Sequence, residues 1–88
     1  MAASTYNLDV ITPEKIVYSK EVTAIVAHGT SGYLGVLAHH TPLVTSLEPG
    51  PFKITEPGEN EVTLNLGGGF MEVRGNKVVV LADAVEEQ

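Results

Sequence analysis

The amino-acid sequence predicts an all-β fold, a flattened β-sandwich of about nine to ten short strands. Three observations carry this. Apolar and polar residues alternate in stretch after stretch, the period of a half-buried strand. Turn residues interrupt these stretches at intervals of roughly 8–12 residues. No window of about eleven residues keeps apolar positions at the helical spacing of three and four without a Gly or Pro inside it.

The first strand is Tyr6-Asn7-Leu8-Asp9-Val10-Ile11-Thr12, with Tyr6, Leu8 and Val10 on one face. Pro13 ends it, because proline cannot donate to a ladder. Lys15-Ile16-Val17-Tyr18-Ser19 is the second strand, rich in β-branched and aromatic residues. Lys20-Glu21 reads as a tight polar connection into Val22-Thr23-Ala24-Ile25-Val26-Ala27, which is apolar on both faces and so predicted to be central in its sheet. Gly29-Thr30-Ser31-Gly32 is a turn, and the strand after it points Leu34 and Val36 one way and Tyr33, Gly35 and Leu37 the other. A polar patch with adjacent His39 and His40 is closed by Pro42, which biases Thr41 towards an extended conformation.

Leu43-Val44-Thr45-Ser46-Leu47 is a short strand stopped by Glu48-Pro49-Gly50-Pro51. Phe52-Lys53-Ile54-Thr55-Glu56 and Glu61-Val62-Thr63-Leu64-Asn65-Leu66 form a hairpin around Pro57-Gly58-Glu59-Asn60. Phe70-Met71-Glu72-Val73 and Lys77-Val78-Val79-Val80-Leu81-Ala82 flank the turn Arg74-Gly75-Asn76. The last of these is the most apolar strand and is predicted to be buried on both sides, with Asp83 to Gln88 frayed beyond it.

Eighty-eight residues make one domain spanning 1–88, without repeats or linkers. With 43% hydrophobic and 18% charged residues the chain is globular. No cysteine is present, so disulfides and thiolate metal sites are excluded and stability rests on the packed core. No apolar run reaches the roughly 18 residues that cross a bilayer, and Met1 to Thr5 lack the basic and apolar regions of a signal peptide. A soluble intracellular protein without direct membrane insertion is the expectation. The net charge is −6 and the cations Lys15, Lys20, Lys53, Arg74 and Lys77 are scattered. No basic stripe exists to release counterions from a phosphate backbone, so nucleic acid is not an expected partner. Basic protein surfaces fit better.

Catalytic chemistry finds little support. His28, His39 and His40 are the only imidazoles. His39 and His40 are adjacent and point to opposite faces of an extended chain, so they do not chelate one ion together, and no metal site is expected. Ser19, Ser31 and Ser46 stand in no Gly-x-Ser-x-Gly elbow. Gly67-Gly68-Gly69 is followed by Phe70 and a strand, not by the helix and Lys-Ser/Thr pair of a phosphate loop, so it reads as a close backbone approach or a bulge. No cofactor is expected, and the residues favour a small acidic binding module over an enzyme. Tyr33, beside a glycine turn and next to Gly35, suits an interface, since tyrosine buries area while keeping a polar handle.

The spacing Gly29-x-x-Gly32-x-Leu34-Gly35-Val36-Leu37 followed by His40-Thr41-Pro42-Leu43 resembles the epsilon subunit family of the F-type rotary ATP synthase. The family pattern has Pro-Gly where Ala38-His39 stand and Ala at Thr41. Leu8 to Glu14, Val17-Tyr18-Ser19, Glu21-Val22, Leu43-Val44-Thr45, Leu47-x-Pro49-Gly50, Gly68 to Val73, Asn76-Lys77-Val78 and Val80 to Asp83 extend the resemblance over nearly the whole chain. It implies a ten-stranded sandwich in the central stalk of the rotor. Such a subunit is non-catalytic, clamps the gamma subunit and rests on the polar loops of the membrane rotor ring of c subunits, peripherally at the cytoplasmic face of the membrane. It couples proton translocation to ATP synthesis, while catalysis belongs to the alpha and beta subunits. By match to family positions, Thr12 and Thr45 face gamma. Ser31, Gly32, Tyr33 and His40 lie near the ring, with His40 also within reach of gamma. A carboxylate is common where Tyr33 stands. Most members of the family continue into a C-terminal helical hairpin of about forty residues that the sequence to Gln88 does not contain, so the expectation is a polypeptide that couples without inhibiting through a moving arm and that binds ATP negligibly. The alternative is a stand-alone sandwich binding a carbohydrate or other small ligand, which needs aromatics lining one face; Tyr6, Tyr18, Tyr33, Phe52 and Phe70 are all the chain has.

Overall fold

A computed structural model describes residues 4–87. Gln88, the end of the segment expected to fray, and residues 1–3 of the segment read for a signal peptide lie outside it. Ten strands form: β1 Tyr6–Ile11, β2 Ile16–Val22, β3 Ala24–Gly29, β4 Gly32–Leu37, β5 Leu43–Leu47, β6 Gly50–Glu56, β7 Asn60–Leu66, β8 Gly69–Arg74, β9 Lys77–Ala82 and β10 Val85–Glu87. Among the described residues there is no helix.

Hydrogen-bonded neighbours follow the path β10-β7-β6-β3-β5-β8-β9-β1-β2, with β4 on the other edge of β3. The β3–β5 link is a single residue pair, Gly29 with Leu47. It divides the path into two five-stranded layers, β4-β3-β6-β7-β10 and β5-β8-β9-β1-β2. All pairings are antiparallel except β1 with β9, which is parallel. The chain crosses between layers at short corners, one of them held by the Thr23 amide donating to Thr55 O at 2.8 Å.

Because strand side chains alternate, each layer presents one apolar face, and the two faces meet. One contributes Tyr6, Leu8, Val10, Val22, Met71, Val73, Val78 and Val80; the other Ile25, Ala27, Val36, Phe52, Ile54, Leu64 and Leu66. Among the described residues the buried side chains carry hydroxyl groups only on tyrosines, and the Tyr6 hydroxyl donates to Val36 O at 2.6 Å, pinning β4 to the opposite layer. At Gly69 a β-carbon would lie 2.1 Å from Leu81 O, so the third glycine of the triplet is fixed by close approach of two backbones.

Four expectations are corrected. Lys20 and Glu21 are no connection: they continue β2, paired with Leu8 and Asn7 of β1. An edge strand needs backbone pairing but no apolar outer face, so polar residues prolong it. The strand read from Val22 onwards is Ala24–Gly29, Val22 closing β2, and Val26 on it is 40% exposed. The apolar strand β9 is buried on one side only, with Leu81 53% exposed. Two layers cover one face of each sheet, and none of the other described residues lies over the outward face of β9. The tail expected to fray pairs instead, Val85 with Leu66 and Glu86 with Asn65.

Candidate functional site

The turn at Thr30-Ser31 joins β3 to β4, and Gly32 follows it with φ 121, a conformation that favours glycine. This tip is tied to the end of β5 by the Thr30 amide donating to Ser46 O at 3.3 Å. Ser31, Gly32 and Tyr33 are all exposed, Tyr33 at 70%. The Tyr33 ring stacks on its ladder partner His28, with centroids 4.7 Å apart and planes 19° apart. An exposed aromatic held this way keeps few rotamers, which lowers the entropic cost of contact.

Thr45 stands in β5 beside this tip, half-buried, its hydroxyl 3.8 Å from where a β-carbon of Gly29 would be. Thr12 follows β1 at the same end of the sandwich, three strands further across through β8, β9 and β1. Its hydroxyl accepts from the amides of Glu14 and Lys15, each at 3.3 Å, so it shapes the β1–β2 turn. His40 lies at the other end of β4, half-buried, with Nδ1 2.7 Å from Thr41 O. Strand β4, six residues and roughly 17–20 Å long, runs between it and Ser31, with Tyr33 near the Ser31 end. Five of the six residues singled out from the sequence therefore share one end of the sandwich, and His40 does not.

Sequence reasoning missed the outward faces of the layers. On the β5-β8-β9 layer Val44, Phe70 and Leu81 are 68%, 57% and 53% exposed, and with Val79 they line a hollow of about 240 Å³. On the β4-β3-β6 layer Tyr33, Val26, Pro51 and Lys53 line one of about 310 Å³. The signal was present in β9, whose odd and even positions are both apolar. A strand that is apolar on both faces in a two-layer fold must expose one of them. Clustered exposed apolar side chains of this kind make candidate contact surfaces. Among the described residues no three His, Asp or Glu side chains gather as a metal site would require.

A family model described as "ATP synthase, Delta/Epsilon chain, beta-sandwich domain" matches residues 5–88. The chain belongs to this family. Among curated relatives of the delta/epsilon sandwich, an ATP synthase epsilon chain of Brevibacillus brevis is 43% identical over 83 residues, covering 94% of this chain and 63% of that one. Another, of Pelotomaculum thermopropionicum, is 48% identical over 86 residues, covering 98% and 63%. The chain thus spans less than two thirds of the length of these relatives. In solved structures the same sandwich recurs in a Euglena gracilis mitochondrial ATP synthase, OSCP/F1/c-ring, with TM-score 0.91 and 22% identity over 99% of this chain and 56% of that one. It recurs also in the central stalk/c-ring of the Tetrahymena thermophila enzyme, with TM-score 0.79 and 20% identity over 99% and 69%. At these identities the likeness is one of fold. Among the described residues no helix is long and apolar enough to cross a membrane.

Proposed function

We propose that this delta/epsilon sandwich is a non-catalytic central-stalk subunit of an F-type ATP synthase, binding gamma and the c-subunit ring and coupling proton translocation to ATP synthesis. The family match over residues 5–88 carries the reading. The names of the relatives, and the central-stalk and c-ring assemblies in which the same fold occurs, support it. So do the two outward apolar surfaces on opposite layers, since a coupling subunit must hold two partners at once. On this reading the exposed tip Ser31, Gly32 and Tyr33 meets the ring. Thr12, Thr45 and the Val44-Phe70-Leu81 surface turn towards gamma, as does His40 from the far end of β4. The subunit sits peripherally at the cytoplasmic face of the energy-transducing membrane.

The test is Tyr33→Ala in enzyme reconstituted with this chain. Truncating a central aromatic anchor costs on the order of 1–2 kcal/mol or more. Occupancy of the chain on the ring falls, and ATP hydrolysis loses part of its proton pumping. Full occupancy together with full coupling would remove Tyr33 from the interface. Co-purification separates the alternative: a stalk subunit brings gamma with it, and a carbohydrate-binding module comes alone.

A further inference from the structure

Gly35 is the unexplained residue of β4. Its φ lies outside the left-handed region, and a β-carbon added there would meet nothing within 4 Å. Neither backbone conformation nor internal packing asks for glycine, although glycine weakens a strand interior. In a strand interior such a glycine marks a bulge, a bend or the close approach of a ligand or another backbone; β4 pairs with β3 in unbroken register, which argues against a bulge. Its ladder partner is Val26, 40% exposed on the same outward face. Val26 lines the hollow of about 310 Å³ with Tyr33, Pro51 and Lys53.

The charge at the rim is equally particular. The chain is acidic, with net charge −6. Lys20, Arg74 and Lys77 each have a carboxylate within 4.0 Å: Glu56, Glu72 and Asp9 respectively. Lys15 and Lys53 have no such partner among the described residues; Lys15 stands in the β1–β2 turn, whereas Lys53 lies on an outward sheet face with Val26 and Thr63 as ladder neighbours. An uncompensated cation therefore stands beside an apolar hollow on an acidic protein. Apolar contact fixes such an encounter while charge selects the partner.

We propose that this hollow takes a segment of a partner protein carrying a carboxylate next to an aliphatic or aromatic side chain. The carboxylate meets Lys53 Nζ, the apolar side chain fills the space between Val26, Tyr33 and Pro51, and the segment's backbone lies over Gly35. The proposal rests on the reading that the Ser31–Tyr33 tip faces the rotor ring, and it assigns the segment to a ring loop. A basic loop is repelled by Lys53, so the hollow sets the sign of charge the ring must present.

The experiment measures affinity of the labelled chain for a complex of gamma with detergent-purified ring, and for gamma alone, by fluorescence anisotropy. Lys53→Glu and Gly35→Val are compared with Arg74→Glu, which makes the same charge change on an exposed residue away from the hollow. Reversing Lys53 lowers affinity for the ring complex by about tenfold, and the Arg74 change by less than about twofold. Gly35→Val lowers it by about tenfold as well, by filling the approach. Affinity for gamma alone and the urea midpoint stay at the wild-type values; should Gly35→Val shift the midpoint, Lys53→Glu decides. Wild-type ring affinity in both hollow variants, with Tyr33→Ala weakened, overturns the hollow and leaves the stalk reading standing. A wild-type chain that binds gamma but gains nothing from the ring overturns both.

Discussion

His39 shows what a single position reveals when sequence and backbone are set side by side. It has φ 63, the left-handed region, in the loop between β4 and β5, and its side chain is exposed. The family pattern places glycine there, which takes that conformation without a β-carbon clash. The loop thus keeps a glycine turn with a histidine in it. Relief of that clash is worth roughly 1–2 kcal/mol, and the extra freedom glycine gives the unfolded chain costs back about 0.4–1 kcal/mol. His39→Gly is therefore expected to stabilise the protein by about 0.5–1 kcal/mol, read as a raised urea midpoint at unchanged slope. A midpoint at or below the wild-type value would mean the histidine relaxes elsewhere. The same scale limits how far the site was legible. Tyr33 stood out because a glycine turn and Gly35 frame it. Lys53 did not, because one lysine on an alternating strand looks like any solvated charge until its neighbours in space are known.

Between elements, the seam where β2 meets the end of β6 is held by polar groups. Glu56 accepts a hydrogen bond from the Tyr18 hydroxyl and another from Asn60 Nδ2 at 2.7 Å, with Lys20 Nζ 3.7 Å away. The bond from Tyr18, then that from Asn60, and the Lys20 charge hold the Glu56 carboxyl below its usual range. A carboxylate with a depressed folded-state pKa adds stability above its unfolded value, near 4.3, and that stability is lost as pH falls through the folded value. Burial, reinforced by Glu56, pushes the Tyr18 hydroxyl up, and burial pushes Tyr6 up likewise. For these the sign reverses: stability declines as pH rises above about 10, where tyrosine ionises in the unfolded chain but not in the folded one. Urea unfolding across pH should show both limbs, with Glu56→Gln flattening the acid one and Tyr18→Phe the alkaline one. Identical acid limbs in wild type and Glu56→Gln would dismiss the seam. At this scale the alternation located nearly every strand, because the period of two and the Gly and Pro turns are local. It failed at β2 and β10. Lys20-Glu21 and Val85-Glu86 are held by pairing to β1 and β7, which local pattern does not encode.

At the scale of the molecule, the order in which pairings close follows from topology. The β6–β7 hairpin turns through Pro57, Gly58 and Glu59, so its strands meet at little entropic cost. The parallel pair β1–β9 instead joins Leu8 to Val78, which the entire intervening chain separates. Loop closure must precede any reward from that contact, so the sandwich is expected to fold on the millisecond-to-second scale of non-local β proteins, with β1 docking late. Leu8 and Leu64 make a matched pair of probes, 0% and 2% exposed on opposite layers. Either one changed to Ala removes about 2–5 kcal/mol. If β1 docks after the transition state, Leu8→Ala leaves the refolding rate nearly unchanged and puts its whole cost into faster unfolding. Leu64→Ala, in the hairpin that forms first, slows refolding. Stopped-flow chevrons of the two variants decide this, and equal slowing of refolding would show that the parallel pair is already formed at the barrier.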